Sequence, residues 1–207
     1  LAGNSMDDWT MIDDAFIEMD SGLIHDFGYM NACPQETSNV RIIDGTGRFI
    51  LPAFIDSHTH LVYAHDRSEE FNMRMHGLSY KEIAASGGGI LNSSKQIMSS
   101  NEDQLLDSLL DRLEKSRNTG TAALEIKSGY GLTADSERKI LRVIKRAKAQ
   151  VSQKIWSTFL GAHALPLSYN GNHDAYIEEI CSNMLPQFAD EGLIDFIDIF
   201  CETNYFS

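Results

Sequence analysis

The sequence has few positive charges, few cysteines and no long apolar run. Its 207 residues contain 17 Lys and Arg against 30 Asp and Glu, which gives a formal net charge of −13. This balance argues against general nucleic-acid binding, because such binding depends on Lys and Arg that neutralise phosphates. An anionic ligand would need a local cation in this protein, since the overall field repels negative charge.

The three cysteines, Cys33, Cys181 and Cys201, are odd in number and lie far apart. This spacing is typical neither of a disulfide framework nor of a cysteine metal site. No apolar run approaches the roughly 18 residues of a membrane-spanning helix. Acidic residues stand near the N-terminus, where a signal peptide would carry cations. We therefore expect a soluble, cytoplasmic protein without a membrane partner.

Residues 1–50 favour a small β unit. The segment Ala15–Gly28 alternates polar and apolar residues and breaks at the Asp20–Gly22 turn, which predicts a β-hairpin. A second strand-like run follows over Val40–Asp44 and continues, after a glycine turn, through Arg48–Leu51.

From Pro52 onward, strand-like runs alternate with helical segments, which predicts repeated β–α units and a parallel sheet. The predicted strands are Ala53–Thr59, Ala122–Lys127, Trp156–Gly161 and Asp195–Cys201. Asn101 and Thr133 begin two of the helices between them. A third helix, over Asp174–Asp190, must bend or restart near Pro186. Four such strands fit both an open α/β domain and the first half of an eight-stranded barrel.

The strongest chemical signal is the pair His58 and His60 at the end of the first predicted parallel strand. The segment is apolar up to Asp56, which predicts a buried strand. Residues two apart on a strand face the same side, so the Asp56 carboxylate and both imidazoles are predicted to point together. Two imidazoles at a strand end form half of a catalytic metal site. The alternative is a pair of strand histidines held by ordinary hydrogen bonds.

Longer segments carry a family resemblance. The segment LPAFIDSHTHL, with its lead-in IDGTGRFILP, resembles the amidohydrolase superfamily. Further blocks follow in order: HLVYAHDRSEEF, GLSYKEIAASGGGI, EIKSGYGLT, TFLGAHALPLSY and DFIDIFCE. Together they resemble the imidazolonepropionase family within that superfamily, from near Ala15 to the C-terminus.

This resemblance implies a metal-dependent hydrolase on a (β/α)8 barrel. The implied fold is α/β: residues 51–207 form the first four β–α units, the first half of the barrel, and residues 1–50 form the N-terminal part of a small β-sandwich domain. The implied reaction is hydrolysis of 4-imidazolone-5-propanoate to N-formimidoyl-L-glutamate, a step of histidine degradation. The implied cofactor is one zinc or iron ion. The substrate is the implied partner, and a homodimer stays open.

The resemblance also assigns roles residue by residue. His58 and His60 match metal ligands. The positions that match substrate-binding residues are Arg67, Tyr80, Tyr130 and His163. A propanoate tail needs a cation in an acidic protein, and a guanidinium matches a carboxylate. The alternative for Arg67 is a surface side chain paired with Glu69 or Glu70.

Two further polar residues, Glu125 and Lys127, are two positions apart on a predicted strand and therefore share one face, which permits an internal ion pair. Some amidohydrolases carbamylate a strand lysine, but the resembled family does not, so Lys127 receives no role.

The catalytic residues themselves are not identified. The resembled family supplies a glutamate as general base, a third histidine and an aspartate, and these are expected beyond Ser207. We therefore expect a truncated N-terminal half that is inactive alone. Two alternatives stay open: another cyclic amidohydrolase or deaminase that shares the His-x-His strand, and a half-barrel without catalysis.

Overall fold

The computed structural model describes residues 10–35, 40–79, 82–83, 88–202 and 205–206. The chain forms two compact units, Leu1–Ile50 and Leu51–Ser207. Within the described ranges, no helix is both long enough and apolar enough to cross a membrane.

The described part of the first unit contains an antiparallel hairpin of β1 (Ala15–Asp20) and β2 (Leu23–Tyr29). Ser21 and Gly22 connect the strands with φ angles of 51° and 81°. Two positive φ angles in succession produce a turn whose twist matches that of the flanking strands. The predicted hairpin is therefore confirmed.

The second strand-like run of this unit is a wrong prediction. Residues 40–53 contain a turn and no strand. The side chains of Val40, Ile42 and Ile43 are exposed, and no described strand pairs with this segment. An alternating pattern becomes a strand only where a neighbouring strand satisfies its backbone groups. The described strands of this unit form a hairpin, and the β-sandwich stays a prediction.

The second unit is built on a parallel sheet. Its strands are β3 (Phe54–Thr59), β4 (Thr121–Lys127), β5 (Lys154–Ala162) and β6 (Phe196–Ile199). They are hydrogen-bonded in the order β3-β4-β5-β6, which is also their order along the chain. The four predicted parallel strands are confirmed. A doubly wound sheet reverses direction at a switch point, whereas barrel strands follow one another in chain order. This order excludes the doubly wound arrangement for the described strands.

Helices connect the strands of this unit. The described helices are α1 (Ser68–Met75), α2 (Ile90–Ser99), α3 (Glu102–Asn118), α4 (Ala134–Lys148), α5 (His173–Glu179) and α6 (Leu185–Asp190). The Asn101 side chain accepts the backbone N–H of Gln104 at 2.8 Å, and Thr133 caps α4 in the same way. A π-helical turn joins α5 to α6 just before Pro186, which has no N–H for a helical hydrogen bond. Both predicted helix starts and the predicted bend are confirmed.

The hydrophobic core of the second unit lies where α3 and α4 cover β4 and β5. Fully buried members include Leu109, Leu113, Ile126, Leu141 and Phe159. Each buried Leu or Ile contributes roughly 1.5–3 kcal/mol before the entropic cost of folding is subtracted. Because of this core, β4 and β5 are the strands of the sheet with the most buried side chains.

The two outer strands are different. Phe54 and Ile55 on β3 are 60% and 71% exposed, and Phe196 and Ile197 on β6 are 55% and 54% exposed. The prediction of a buried strand before His58 is therefore wrong. The physical reason is that β3 has a single neighbouring strand among the described residues, and described helices leave its apolar side chains uncovered.

Candidate functional site

The histidine pair lies at the carboxyl end of β3. The ring centroids of His58 and His60 are 5.7 Å apart, so the predicted placement on one side is confirmed. His58 is exposed, whereas His60 is half-buried. The Asp56 carboxylate accepts the backbone N–H of His58 at 3.3 Å, which is a local bond.

His60 is prepared as a neutral ligand. Burial lowers its pKa to about 3, and positive charge on His163 and His58 acts in the same direction. The imidazole is therefore neutral at pH 7, which is the form that binds metal ions. Its Nδ1 atom is buried and makes no hydrogen bond of ordinary geometry to a described residue, although the Ser128 backbone is near enough to oppose the fall in pKa. Buried polar atoms are rarely left unpaired, so this atom fits a residue that is completed by a ligand.

Two of the predicted substrate-binding residues pack against His60. The His163 ring stacks on it at 5.0 Å with an interplanar angle of 11°, and the Tyr130 ring stacks at 4.9 Å. Tyr130 and His163 also stack on each other at 5.5 Å. The tyrosine follows β4 and the histidine follows β5, so the carboxyl ends of three adjacent strands supply this ring cluster.

A backbone carbonyl orients the His163 ring. Nδ1 of His163 lies 3.1 Å from the Gly129 carbonyl oxygen. Burial lowers the pKa of His163, so the ring is neutral at pH 7. A carbonyl oxygen can only accept, so Nδ1 carries the proton and Nε2 is left as an acceptor.

Arg67 forms an ion pair and also reaches the site. Its Nε and Nη2 groups both donate to Oε2 of Glu70, with an Nε–O distance of 2.7 Å. The other Glu70 oxygen accepts the backbone N–H of Gly89 at 2.9 Å, at the start of α2. The predicted alternative, a pair between Arg67 and Glu70, is therefore present. Sequence reasoning missed that this pair orients the guanidinium and that Glu70 also holds the backbone of Gly89.

A cleft of about 320 Å³ brings several of these residues together. Its lining residues are Arg67, Ile90, Tyr130, His163, Phe200 and Tyr205. Tyr80, the remaining predicted substrate-binding residue, lies outside the described residues. Sequence reasoning missed Phe200, although its position directly after β6 was a usable signal. Its ring meets the edge of His163 at 5.9 Å.

A buried lysine bridges strands beneath the site. Lys127 is 6% exposed, and its Nζ donates to Oε1 of Glu125 at 2.9 Å and to Oδ2 of Asp198 at 2.8 Å. Thr158 donates to the same Glu125 oxygen. Burial lowers the pKa of Lys127, but the hydrogen bonds that it donates to Asp198 and Glu125 outweigh this effect and raise that pKa above its ordinary value. The predicted internal ion pair is confirmed, with Asp198 as an additional partner.

A second cleft, of about 450 Å³, lies at α3 and α4. Its arginines are already neutralised, because Arg142 pairs with Glu191 at 2.8 Å and Arg146 pairs with Asp103 at 2.7 Å. Arg67 of the smaller cleft is paired as well, so charge alone does not separate the two clefts. We assign the chemistry to the smaller cleft because Tyr130 and His163 line it and stack on His60.

Comparison with known proteins agrees with the resemblance of the sequence blocks. The chain is 49% identical over 207 residues to an imidazolonepropionase of Flavobacterium psychrophilum, and 45% identical over 207 residues to one of Christiangramia forsetii. An imidazolonepropionase of Acinetobacter baumannii is 45% identical over 199 residues, which is 96% of the chain. The chain is a homologue of the imidazolonepropionases. The predicted resemblance to imidazolonepropionases is confirmed.

The chain spans about half the length of the curated imidazolonepropionases it matches: 50% of the first two and 49% of the third. No protein-family model matches the chain. Among the described residues, no group of three or more His, Cys, Asp or Glu could hold a metal ion, so the histidine pair stands without a third described ligand.

Proposed function

We propose that the chain is the half of an imidazolonepropionase barrel that carries two metal ligands and the substrate cleft. The cleft is the observation that carries this proposal: Arg67, Tyr130 and His163 line it together, and His60 stacks against two of them. The chain-order parallel sheet supports the barrel, since each strand end adds side chains to the same face. Identity along the full length of the chain supports the substrate class.

His58 and His60 are the residues that would hold one zinc or iron ion. The unpaired, buried Nδ1 of His60 and its neutral ring fit this role, and both metals accept imidazole ligands. The bound metal would supply Lewis acidity that makes water nucleophilic near neutral pH.

The proposed reaction is the hydrolysis of 4-imidazolone-5-propanoate. The oxygen of a water molecule adds to the ring carbonyl carbon, and the bond from that carbon to the neighbouring ring nitrogen breaks. That nitrogen takes up a proton, and the product is N-formimidoyl-L-glutamate. A general base is required for the proton transfer, and we propose that the part of the relatives that the chain does not cover supplies it.

The described residues bind and orient this substrate. Arg67, held by Glu70, supplies the local cation for the propanoate carboxylate that an acidic protein needs. Tyr130 offers a flat surface for the imidazolone ring. His163 presents Nε2 as an acceptor, which suits a ring N–H of the substrate.

A fusion protein tests the proposal. The chain is joined to the half of the Flavobacterium psychrophilum relative that it does not cover, and both hydrolysis of 4-imidazolone-5-propanoate and metal content are measured. We expect turnover with about one metal ion per chain, and a loss of both in a variant with His58→Ala and His60→Ala. Glu114→Gln, at an exposed position on α3, is the matched control and should change neither.

The same fusion distinguishes the alternatives. A folded fusion that binds metal but hydrolyses only rings without a carboxylate tail would indicate another cyclic amidohydrolase. A folded fusion that neither binds metal nor hydrolyses any of these rings would favour the other alternative, a half-barrel without catalysis.

A further inference from the structure

One carboxylate, that of Glu137, is fully buried at 0% exposure in the first turn of α4. It lies on the apolar stripe of that helix with Ile140, Leu141 and Ile144, at the spacing of a core face. The proposed reaction does not use it. A buried carboxylate is costly unless donors satisfy it, so the groups that it binds show what it does.

Glu137 binds the backbone of the loop that joins β4 to α4. Its Oε2 accepts the N–H of Gly129 at 2.9 Å. Its Oε1 accepts the N–H groups of Gly131 at 2.7 Å and Leu132 at 2.9 Å. One side chain thus holds three amides of a four-residue segment, Gly129–Leu132.

This loop has an unfavourable conformation that needs such support. Leu132 has a φ of 60°, in the left-handed region that residues with a Cβ seldom adopt. Gly129 has a φ of 106°, and a Cβ there would lie 2.8 Å from Nδ1 of His163. A Cβ on Gly131 would lie 2.4 Å from the backbone nitrogen of Glu137. The loop backbone therefore packs closely against the His163 ring on one side and the start of α4 on the other.

The other side of the loop contacts the site. The Gly129 carbonyl accepts the Nδ1–H of His163 at 3.1 Å. The next residue, Tyr130, stacks on His60 and His163 at ring distances of 4.9 and 5.5 Å. The loop thus carries one group that sets the His163 tautomer and one ring of the cleft.

We infer that Glu137 is a positioning residue: its buried carboxylate fixes the loop Gly129–Leu132, and the loop fixes both the Nδ1–H tautomer of His163 and the ring of Tyr130. The side chain itself touches no substrate. The consequence for catalysis rests on the proposed function, whereas the geometric chain from Glu137 to His163 does not.

Hydrogen exchange on the unmodified chain gives the first test. The amides of Gly129, Gly131 and Leu132 should exchange as slowly as the amides of β4, because a buried carboxylate holds them. Exchange at the rate of exposed loop amides would overturn the inference. This measurement needs no variant and no turnover.

The second test compares Glu137→Gln with Ser157→Ala. The glutamine keeps the shape but turns an NH2 group toward N–H donors. Ser157, on β5 and outside the loop, is also fully buried, and its hydroxyl donates to the Leu193 carbonyl. Ser157→Ala therefore also removes a buried hydrogen bond, but one that does not involve the loop. The ¹⁵N shifts of the His163 ring at pH 7 should report the Nδ1–H tautomer in the unmodified chain and in Ser157→Ala. In Glu137→Gln they should move toward Nε2–H.

An unchanged tautomer in folded Glu137→Gln would contradict the inference. If that variant does not fold, the amide exchange of the unmodified chain decides the question. In the fusion protein, Glu137→Gln should lower kcat/KM at least about tenfold more than Ser157→Ala does, since small displacements of binding groups are costly. An inactive unmodified fusion would count against the proposed function, while the tautomer would still be measurable.

Discussion

The inner and outer strands of the parallel sheet differ sharply although their sequences predict the same element. On β4 and β5, Leu124, Ile126 and Phe159 are buried, and the Phe159 ring packs against Phe188 of α6. On β3 and β6, Ile55 and Ile197 are more than half exposed. The histidine pair lies at the end of an outer strand, whereas Tyr130 and His163 follow the inner ones. The candidate site therefore joins a region with buried side chains to a strand that is paired with β4 along its backbone but whose apolar side chains are exposed.

In addition to the backbone pairing with β4, side-chain hydrogen bonds hold β3 and the segment that follows it. Thr59 on β3 donates its hydroxyl to the Glu125 carbonyl at 2.6 Å. Arg112 of α3 donates to the carbonyls of Leu61 and Tyr63, just after the histidines, at 2.9 and 3.1 Å. The comparison teaches that the placement of the histidines depends on hydrogen bonds to β4 and α3 more than on burial of the β3 side chains.

Removal of the bridge between an inner and an outer strand should have the largest effect. Lys127→Met leaves Glu125 and Asp198 without their cation and should lower the free energy of unfolding by about 2–4 kcal/mol. This is below the cost for a fully buried pair because the Asp198 side chain is 45% exposed. Urea denaturation measures the change. Lys115→Met, which removes an exposed pair with Asp111, is the control and should cost less than about 1 kcal/mol.

The second prediction concerns substrate binding in the cleft, where residues near the inner and outer strands meet. Arg67→Ala in the fusion protein should raise KM for 4-imidazolone-5-propanoate about tenfold to hundredfold, as expected for a lost charged hydrogen bond of roughly 1.5–3 kcal/mol. KM for an imidazolone without the propanoate should change little. Arg74→Ala, at an exposed position on the same helix, is the control. Equal losses for both substrates would exclude a carboxylate contact at Arg67.

Acid should weaken the metal-free chain through His60. Its pKa is about 3 in the folded chain against an ordinary value of 6.5, so the unfolded chain binds an extra proton between these values. The contribution to stability is full above pH 6.5 and declines as the pH falls toward 3, by about 2 kcal/mol at pH 5.

Comparison of unfolding free energies with those of His60→Gln isolates this histidine from the carboxylates that titrate in the same range. The variant should lose less stability than the parent chain between pH 7 and pH 5. Parallel pH profiles for the two chains would refute the neutral, buried His60.

The smallest effect should follow from loosening β3 alone. Thr59→Val removes the hydroxyl bond to Glu125 and should cost about 1 kcal/mol. Hydrogen exchange should accelerate in β3 and stay unchanged in β4 and β5. Thr119→Val, at an exposed helix end, is the control. If hydrogen exchange accelerated equally in all strands, the outer and inner strands would open together, and β3 would not be a separately stabilised strand.

Local sequence patterns were sufficient to predict most helices and strands and part of the candidate site. The two-residue spacing of His58 and His60 predicted their common face, because strand geometry is set by neighbouring residues. Asn101 and Thr133 predicted helix starts for the same reason. Glu137 carried an unused signal, since an acid on the apolar stripe of a helix is expected to be buried.

Long-range contacts were out of reach of such patterns. Asp198 meets Lys127 across 71 positions of the chain, and alternation on either strand says nothing about that pairing. Exposure of β3 depends on whether another element covers it, which its own residues do not specify. The residue order thus established the strands, the helix starts and the family likeness. The fold in three dimensions established which strands are buried, how Lys127 is neutralised and which loop Glu137 holds, because these depend on residues that are distant in the chain and adjacent in space.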